Sequence, residues 1–225
     1  MKTYQLSELT EAQLLEIITL KEEDKDDLGL DTSDIDVSSD EQLSIDKIKT
    51  RLLRDRIILM NEATIWSRAI YPVLLMAESR SVQAWVQVSL TAIFSDIKLT
   101  GVADGILARV IAGVMRAPYL VTLETKRSIE AKNPRIQFYG QLLAAAKLNW
   151  LNREDPNAGE TQEIFGCYTV GDVWTFARAT VQGLATDDQK PFMHVQTSRE
   201  FSSRMEAETI LKILKKIISL YERQE

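Results

Sequence analysis

The spacing of apolar residues along this chain of 225 residues alternates between helical and extended periods. A capping box at Thr10–Gln13, followed by apolar positions at helical spacing, predicts a helix that runs to about residue 23. The acidic stretch 24–43 has too few apolar residues to bury itself, so it is predicted to be a linker or mobile loop. Helical spacing returns at Ile45 and predicts a helical region, with a break, to Tyr71, because Pro72 disfavours further helix.

Strand-like alternation dominates the middle of the chain. Apolar and polar residues alternate from Val82 to Phe94, which predicts a long strand that turns at Ser95-Asp96 into a returning strand. Pro134, after a polar loop, opens a predicted helix. The remaining predicted elements are strands at Ile97–Val110, Tyr119–Lys126, Glu163–Val170 and Val173–Val181, and helices at Pro134–Leu151 and from Ser203 onward.

The order of these elements predicts the fold class. Helix, three strands, helix, two strands and helix follow one another, as expected of an α/β fold with a central mixed β-sheet flanked by helices. The length suits one sizeable domain with an arm. We therefore expect an acidic N-terminal helix and linker at 1–44 and the main domain at 45–225.

Charge is distributed unevenly along the chain. The net charge of −6 conceals fourteen Asp or Glu against three Lys in residues 1–46, a balance of −11, which leaves +5 for the rest. A mildly basic body could approach a phosphate backbone. The acidic arm could either repel or mimic such a backbone, or simply solubilise the protein.

Composition excludes several classes of chemistry and predicts a compartment. Cys167 is the only cysteine and His194 the only histidine, so disulfides, cysteine-based zinc clusters and most Ser-His-Asp or Cys-His schemes are excluded. There is no apolar run long enough for a membrane span, and no export signal is visible at the start. The expectation is a cytoplasmic protein with no membrane partner.

Three residues on the second and third predicted strands carry the candidate chemistry. Asp104 occurs in Thr-Gly-Val-Ala-Asp-Gly, and Glu124 and Lys126 are two residues apart, so their side chains share one face of a strand. A carboxylate among apolar strand residues is costly unless it meets a cation. Mg²⁺ or Mn²⁺ between Asp104 and Glu124 would supply one, and Lys126 could orient or deprotonate a water, or stabilise phosphate charge.

The same spacing has a purely structural interpretation. Glu124 and Lys126 could form an ion pair at the edge of the sheet, and Asp104 could be a turn residue before Gly105.

The order of these motifs resembles the PD-(D/E)XK nuclease superfamily over about residues 60–150. The resemblance lies in Gly-x-x-Asp-Gly around Asp104, then Glu124-Thr125-Lys126 at the end of an apolar strand, then a Gln-rich helix. It implies a restriction-endonuclease-like fold, with Asp104 and Glu124 as metal ligands and Lys126 as general base or charge stabiliser. It further implies Glu62, on the helix before the sheet, and Gln141, on the helix after it, as members of the site. Alternatively, Gln137 and Gln141 form a solvated face of that helix.

The chain departs from one branch of that superfamily. RecB-type members often carry a Tyr four residues after the Gln of the helix, and Tyr139 does not stand at that distance from Gln137 or Gln141. The departure concerns the branch and leaves the three central residues unchanged.

Basic and aromatic residues near these strands suggest contacts to a partner. Arg127, Lys132 and Arg135 would either contact nucleic-acid phosphates or form a basic surface loop. Trp174 and Phe176 alternate on a predicted strand and are expected to pack in the core rather than stack on bases.

The function expected from this sequence is a metal-dependent nuclease that hydrolyses phosphodiester bonds in DNA. The alternative is a catalytically inactive member of the same fold that acts as a nucleic-acid-binding or protein-interaction module. Cutting both strands usually needs two sites, so a homodimer is a candidate assembly. An apolar stripe on the last helix could form its interface or close the core: Leu211, Leu214, Ile218 and Tyr221.

Overall fold

A computed structural model describes residues 1–126, 134–154, 159–185 and 189–222. Its strands are β1 Lys2–Gln5, β2 Thr19–Asp24, β3 Val82–Phe94, β4 Ile97–Ile111, β5 Val114–Lys126, β6 Gln162–Val170, β7 Val173–Gln182 and β8 Phe192–Ser202. Its α-helices are α1 Glu11–Ile17, α2 Ser39–Arg54, α3 Glu62–Ile65, α4 Tyr71–Ala77, α5 Pro134–Leu151 and α6 Ser203–Glu222.

One mixed sheet organises the described residues, and its eight strands confirm the predicted α/β class. The order is β1-β4-β5-β6-β7-β8-β2, and β3 pairs with the other side of β4. Strands β3, β4 and β5 form one antiparallel meander and β6, β7 and β8 another. The meanders meet where β5 and β6 run parallel, a pairing that needs a long crossover, and α5 lies within that connection.

Helices cover both faces of the sheet, and buried side chains of the described residues form a core on each face. Helices α1 and α5 pack on one face, around Leu14, Phe138 and Leu142. Helices α2, α4 and α6 pack on the other face, around Leu52, Trp174 and Leu211. None of the helices in the described residues is long and apolar enough to cross a membrane.

The N-terminal segment differs from the sequence prediction. The capping box of Thr10 and Gln13 is formed, but the helix ends at Ile17 rather than near residue 23. Thr19–Asp24 instead forms β2, which pairs in parallel with β8. The prediction was wrong because Leu20 continues the helical spacing of the apolar residues before it, while the pairing partner lies far away in the sequence.

The acidic stretch predicted to be a linker is packed against α6. Helix α2 begins at Ser39, within the stretch, and upstream of it Leu28 is buried. The ammonium of Lys216 contacts both carboxylate oxygens of Asp34, at 2.7 and 2.9 Å, and Lys215 contacts Glu41. Residues 1–44 therefore supply two strands and several packing contacts to the same sheet and helices as the rest of the chain.

Pro72 does not end the second helical region, which contradicts the prediction. Residues Trp66–Ile70 form a π-helical turn, and α4 continues to Ala77. Pro72 lies in the first turn of α4, directly after this π-helical turn.

The strands differ from the prediction in two further respects. Strand β5 begins at Val114, before the predicted start at Tyr119, and neither β1 nor β8 was predicted. The predicted hairpin at 163–181, the helix at Pro134–Leu151 and the final helix from Ser203 are confirmed. The Ser203 hydroxyl accepts a hydrogen bond from Trp174 Nε1 at 2.7 Å, which anchors the start of α6 to β7.

Candidate active site

The antiparallel pairing of β4 and β5 sets Asp104 opposite Glu124. Gly105 and Leu123 are direct partners in the register, so Asp104 and Glu124 form the next position along the two strands. Asp104 Oδ2 accepts a hydrogen bond from the backbone N–H of Thr125 at 2.8 Å. The two carboxylates thus lie on adjacent central strands and face the same side of the sheet.

Glu124 is fully buried and has two side-chain partners. Its Oε1 forms an ion pair with Nζ of Lys126, and its Oε2 accepts a hydrogen bond from Gln141 Nε2 at 2.5 Å. Gln141 is also fully buried and comes from the middle of α5, which packs across β5 and β6. Gln141 of helix α5 and Lys126 of strand β5 therefore both hold the Glu124 carboxylate in position.

The two carboxylates are destabilised as anions. Burial, followed by the negative charge of Asp104, raises the pKa of Glu124 to about 7, although Lys126 and Gln141 oppose the shift. Burial also raises the pKa of Asp104, against the opposing effects of the Thr125 N–H and the Lys126 charge. The single positive charge of Lys126 therefore does not offset the cost of ionising both carboxylates.

Lys126 remains a cation in this surrounding. Burial by itself lowers the pKa of its ammonium, but contact with Glu124 and the charges of Glu62 and Asp104 outweigh it, and the pKa is raised. Its side chain is 18% exposed and is therefore partly accessible to solvent.

Two glycines near Asp104 occupy positions where a side chain would collide with a neighbouring segment. A Cβ at Gly105 would lie 2.6 Å from Cη2 of Trp66, and a Cβ at Gly101 would lie 2.6 Å from Cβ of Leu6. The spacing Gly-x-x-Asp-Gly thus allows side chains from two flanking segments to pack directly on β4 on either side of Asp104.

Gln87 is a neighbour of Asp104 that the sequence did not indicate. The pairs Val86–Gly105 and Val88–Ala103 keep one register and place Gln87 opposite Asp104, and the φ of Gln87 is 52°, which is left-handed. Its amide Nε2 donates a hydrogen bond to Asp104 Oδ1 at 3.3 Å.

The other predicted site residues are placed unequally. Glu62 begins α3 and its charge acts on Lys126, which puts it beside the site. Arg135 forms an ion pair with Glu22 of β2, with 3.1 Å between Nη1 and Oε1. Arg127 and Lys132 lie outside the described residues.

The structural interpretation of the same motif is only partly met. Glu124 and Lys126 do form an ion pair, but β5 lies between β4 and β6 rather than at an edge. Asp104 lies within β4 and not in a turn. Trp174 and Phe176, expected to be core residues, are both fully buried.

The donor set fits a divalent cation through two carboxylates. Among the described residues no group of three or more His, Cys, Asp or Glu side chains converges as a metal cluster. In the same part of the chain, Oε1 of Gln141 is buried without a hydrogen-bond partner. Asp104, Glu124 and this amide oxygen are oxygen donors of the kind that Mg²⁺ and Mn²⁺ accept, with water completing the shell.

Comparison with known proteins adds no family to this description, since no protein-family model and no curated protein matches the chain.

Proposed function

We propose that this protein is a metal-dependent nuclease of the PD-(D/E)XK type, with a restriction-endonuclease-like fold, that hydrolyses phosphodiester bonds in DNA. The observation that carries the proposal is the pairing of Asp104 with the buried Glu124 on adjacent central strands, with Lys126 against Glu124. Two neighbouring carboxylates that burial makes costly to ionise are better explained by a cation they bind than by a contribution to stability.

Asp104 and Glu124 would hold Mg²⁺ or Mn²⁺. When bound, the metal supplies a Lewis acid for the phosphate and lowers the pKa of a bound water. The protein keeps the ligands in place beforehand. Gln141 orients Glu124 through its amide, and the Thr125 N–H orients Asp104 from the backbone.

Lys126 is best suited to stabilise negative charge on the phosphate. Its pKa is raised, so the metal-free site holds it as an ammonium and not as a free base. Its partial exposure lets the ammonium turn from Glu124 toward a substrate. A cation at this position in a poorly solvated site favours the extra charge that develops in the transition state.

The alternative function, a catalytically inactive module that binds nucleic acid or protein, is favoured by one observation. No third carboxylate joins Asp104 and Glu124 within the described residues, so the donor set is small for a catalytic metal. The two functions differ in whether DNA is cut or only bound.

A cleavage assay separates them. Purified protein is incubated with supercoiled plasmid, linear duplex DNA, single-stranded DNA and RNA, in Mg²⁺, in Mn²⁺ and in EDTA. Glu124→Gln and Lys126→Ala are expected to lower the rate on DNA by about 100-fold or more, as loss of a charge-stabilising group does. Glu163→Gln removes a partly exposed carboxylate of β6 that pairs with Arg178, and is the matched control.

The proposal is wrong if the wild-type protein cuts no DNA in either metal, or if Glu124→Gln and Lys126→Ala cut as fast as Glu163→Gln does. Binding of DNA without cleavage would select the alternative module.

A further inference from the structure

The two edges of the sheet differ in charge. The edge strand β2 reads Thr-Leu-Lys-Glu-Glu-Asp, with four charged residues among six. The edge strand β3 reads Val-Gln-Ala-Trp-Val-Gln-Val-Ser-Leu-Thr-Ala-Ile-Phe, with no charged residue and no proline in thirteen. Charges and prolines are the usual protection against strand pairing with another chain, so β2 is protected and β3 lacks this protection.

The first part of β3 is covered by the chain itself. The N–H of Ala84 donates to Oε1 of Glu78 at 2.8 Å, and the carbonyl of Val82 accepts from the N–H of Ser79 at 2.9 Å. The segment before β3 thus satisfies the outward backbone groups at its start. Gln87, whose φ of 52° is left-handed, separates this start from the rest of the strand.

The second part, Val88–Phe94, is regular and uncovered. It pairs with β4 on one side and with no other strand among the residues that the structure describes. Alternate residues of such an edge turn their N–H and C=O groups outward. Ile93 is 48% exposed and lies on the same sheet face as Val102 of β4, which is 42% exposed.

The apolar stripe of α6 is not available as an interface. Leu211 and Leu214 are fully buried and Ile218 is 2% exposed, all within the core between α6 and the sheet. An association surface must therefore be sought elsewhere, and β3 offers the backbone groups for one.

We propose that Val88–Phe94 pairs with the same segment of a second copy, antiparallel about a two-fold axis, so that the two sheets become continuous. Each copy carries a net charge of −6, which disfavours most self-contacts, but this segment opposes no like charges when it faces itself. The same arrangement at β2 would set Glu22, Glu23 and Asp24 against their own copies. A nucleic acid would find no cation on β3 to meet its phosphates.

The proposed dimer can form whether or not the protein is a nuclease. In a nuclease, it would bring two active sites into one assembly. Asp104 lies on β4, the strand next to β3, so each candidate site would lie one strand away from the joint. Two sites in one assembly are what cutting both strands of a duplex calls for.

Molar mass in solution, measured by light scattering across a concentration series, tests the dimer. The wild type is expected to approach twice the chain mass of 25.5 kDa. The double variant Ser89→Lys with Ile93→Lys sets like charges across the joint and should weaken dimerisation by about tenfold or more. Leu53→Lys, at a residue of α2 that is 64% exposed, is the matched control and should dimerise as the wild type does.

A monomeric wild type overturns the proposal, as does a double variant that dimerises as strongly as Leu53→Lys. Hydrogen exchange of the wild type keeps the test valid if the double variant fails to fold. Amides within Val88–Phe94 should exchange more slowly as concentration rises, and a dimer that leaves their exchange unchanged would place the interface elsewhere.

Discussion

Glu124 determines the electrostatics of the candidate site because it is buried against another carboxylate. An ordinary glutamate is ionised at neutral pH, whereas burial and the charge of Asp104 bring the pKa of Glu124 to about 7. Near pH 7 this residue therefore lies close to its titration midpoint in the metal-free protein. Gln141 Nε2 donates a hydrogen bond to Oε2 of Glu124. An oxygen of the carboxyl group can accept this bond whether the group is protonated or ionised, so the side chain can keep its position when the proton leaves.

This raised pKa predicts an unusual contribution to stability. Between the ordinary pKa of 4.5 and about 7, the folded protein binds a proton at Glu124 more tightly than the unfolded chain does. The contribution is fully present below the lower value and is lost as pH rises through the higher one, by up to about 3 kcal/mol. Glu124→Gln should remove it.

Urea unfolding in EDTA at about pH 5 and about pH 8 measures this effect. The free energy of unfolding should fall more between the two values in the wild type than in Glu124→Gln. Equal changes in both proteins would show that Glu124 titrates as an ordinary exposed carboxylate.

At the scale of elements, the contact of β4 with the helical segment at Trp66 positions Asp104. Gly105 has no side chain, and the Trp66 ring occupies the space beside it. Gly105→Ala should destabilise the protein by about 1–3 kcal/mol, because overpacking displaces the ring, although alanine is otherwise better than glycine in a strand.

Thermal unfolding of Gly105→Ala and of Gly159→Ala checks this contact. Gly159 has no neighbouring atom within 4 Å of an added Cβ and is the control. A Gly105→Ala variant as stable as the control would mean that Trp66 does not depend on this glycine.

Elements defined by local periodicity could be predicted from the sequence. Alternation gave β3 with its observed ends, and helical spacing after Pro134 gave α5 to Leu151. Strands β1, β2 and β8 were missed. Strands β1 and β2 pair with segments far along the chain, and β2 carries mostly charged residues. Strand formation there depends on the partner and not on local pattern.

The residues of the candidate site likewise divide into those that the sequence indicated and one that it did not. Spacing and resemblance indicated Asp104, Glu124, Lys126 and Gln141, and the structure brings these four together. Gln87 was not predicted, because its contact with Asp104 depends on how β3 pairs with β4.

At the scale of the whole molecule, the acidic N-terminal segment is part of the sheet. Strands β1 and β2 pair with β4 and β8, and Leu6 and Leu14 are fully buried. The charge balance of −11 in residues 1–46 therefore belongs to the packed molecule. Under the proposed function, DNA would approach a face away from these carboxylates, since phosphate binding depends on cations.

The central claim is that Asp104 and Glu124 form a divalent-metal site, and calorimetric titration with Mn²⁺ tests it most directly. The wild type and Glu163→Gln are expected to bind Mn²⁺ saturably with equal affinity. Asp104→Asn and Glu124→Gln should each weaken binding by about tenfold or more, since each removes a charged ligand. A wild type that binds no Mn²⁺, or substitutions at Asp104 and Glu124 that leave its affinity unchanged, would contradict the claim.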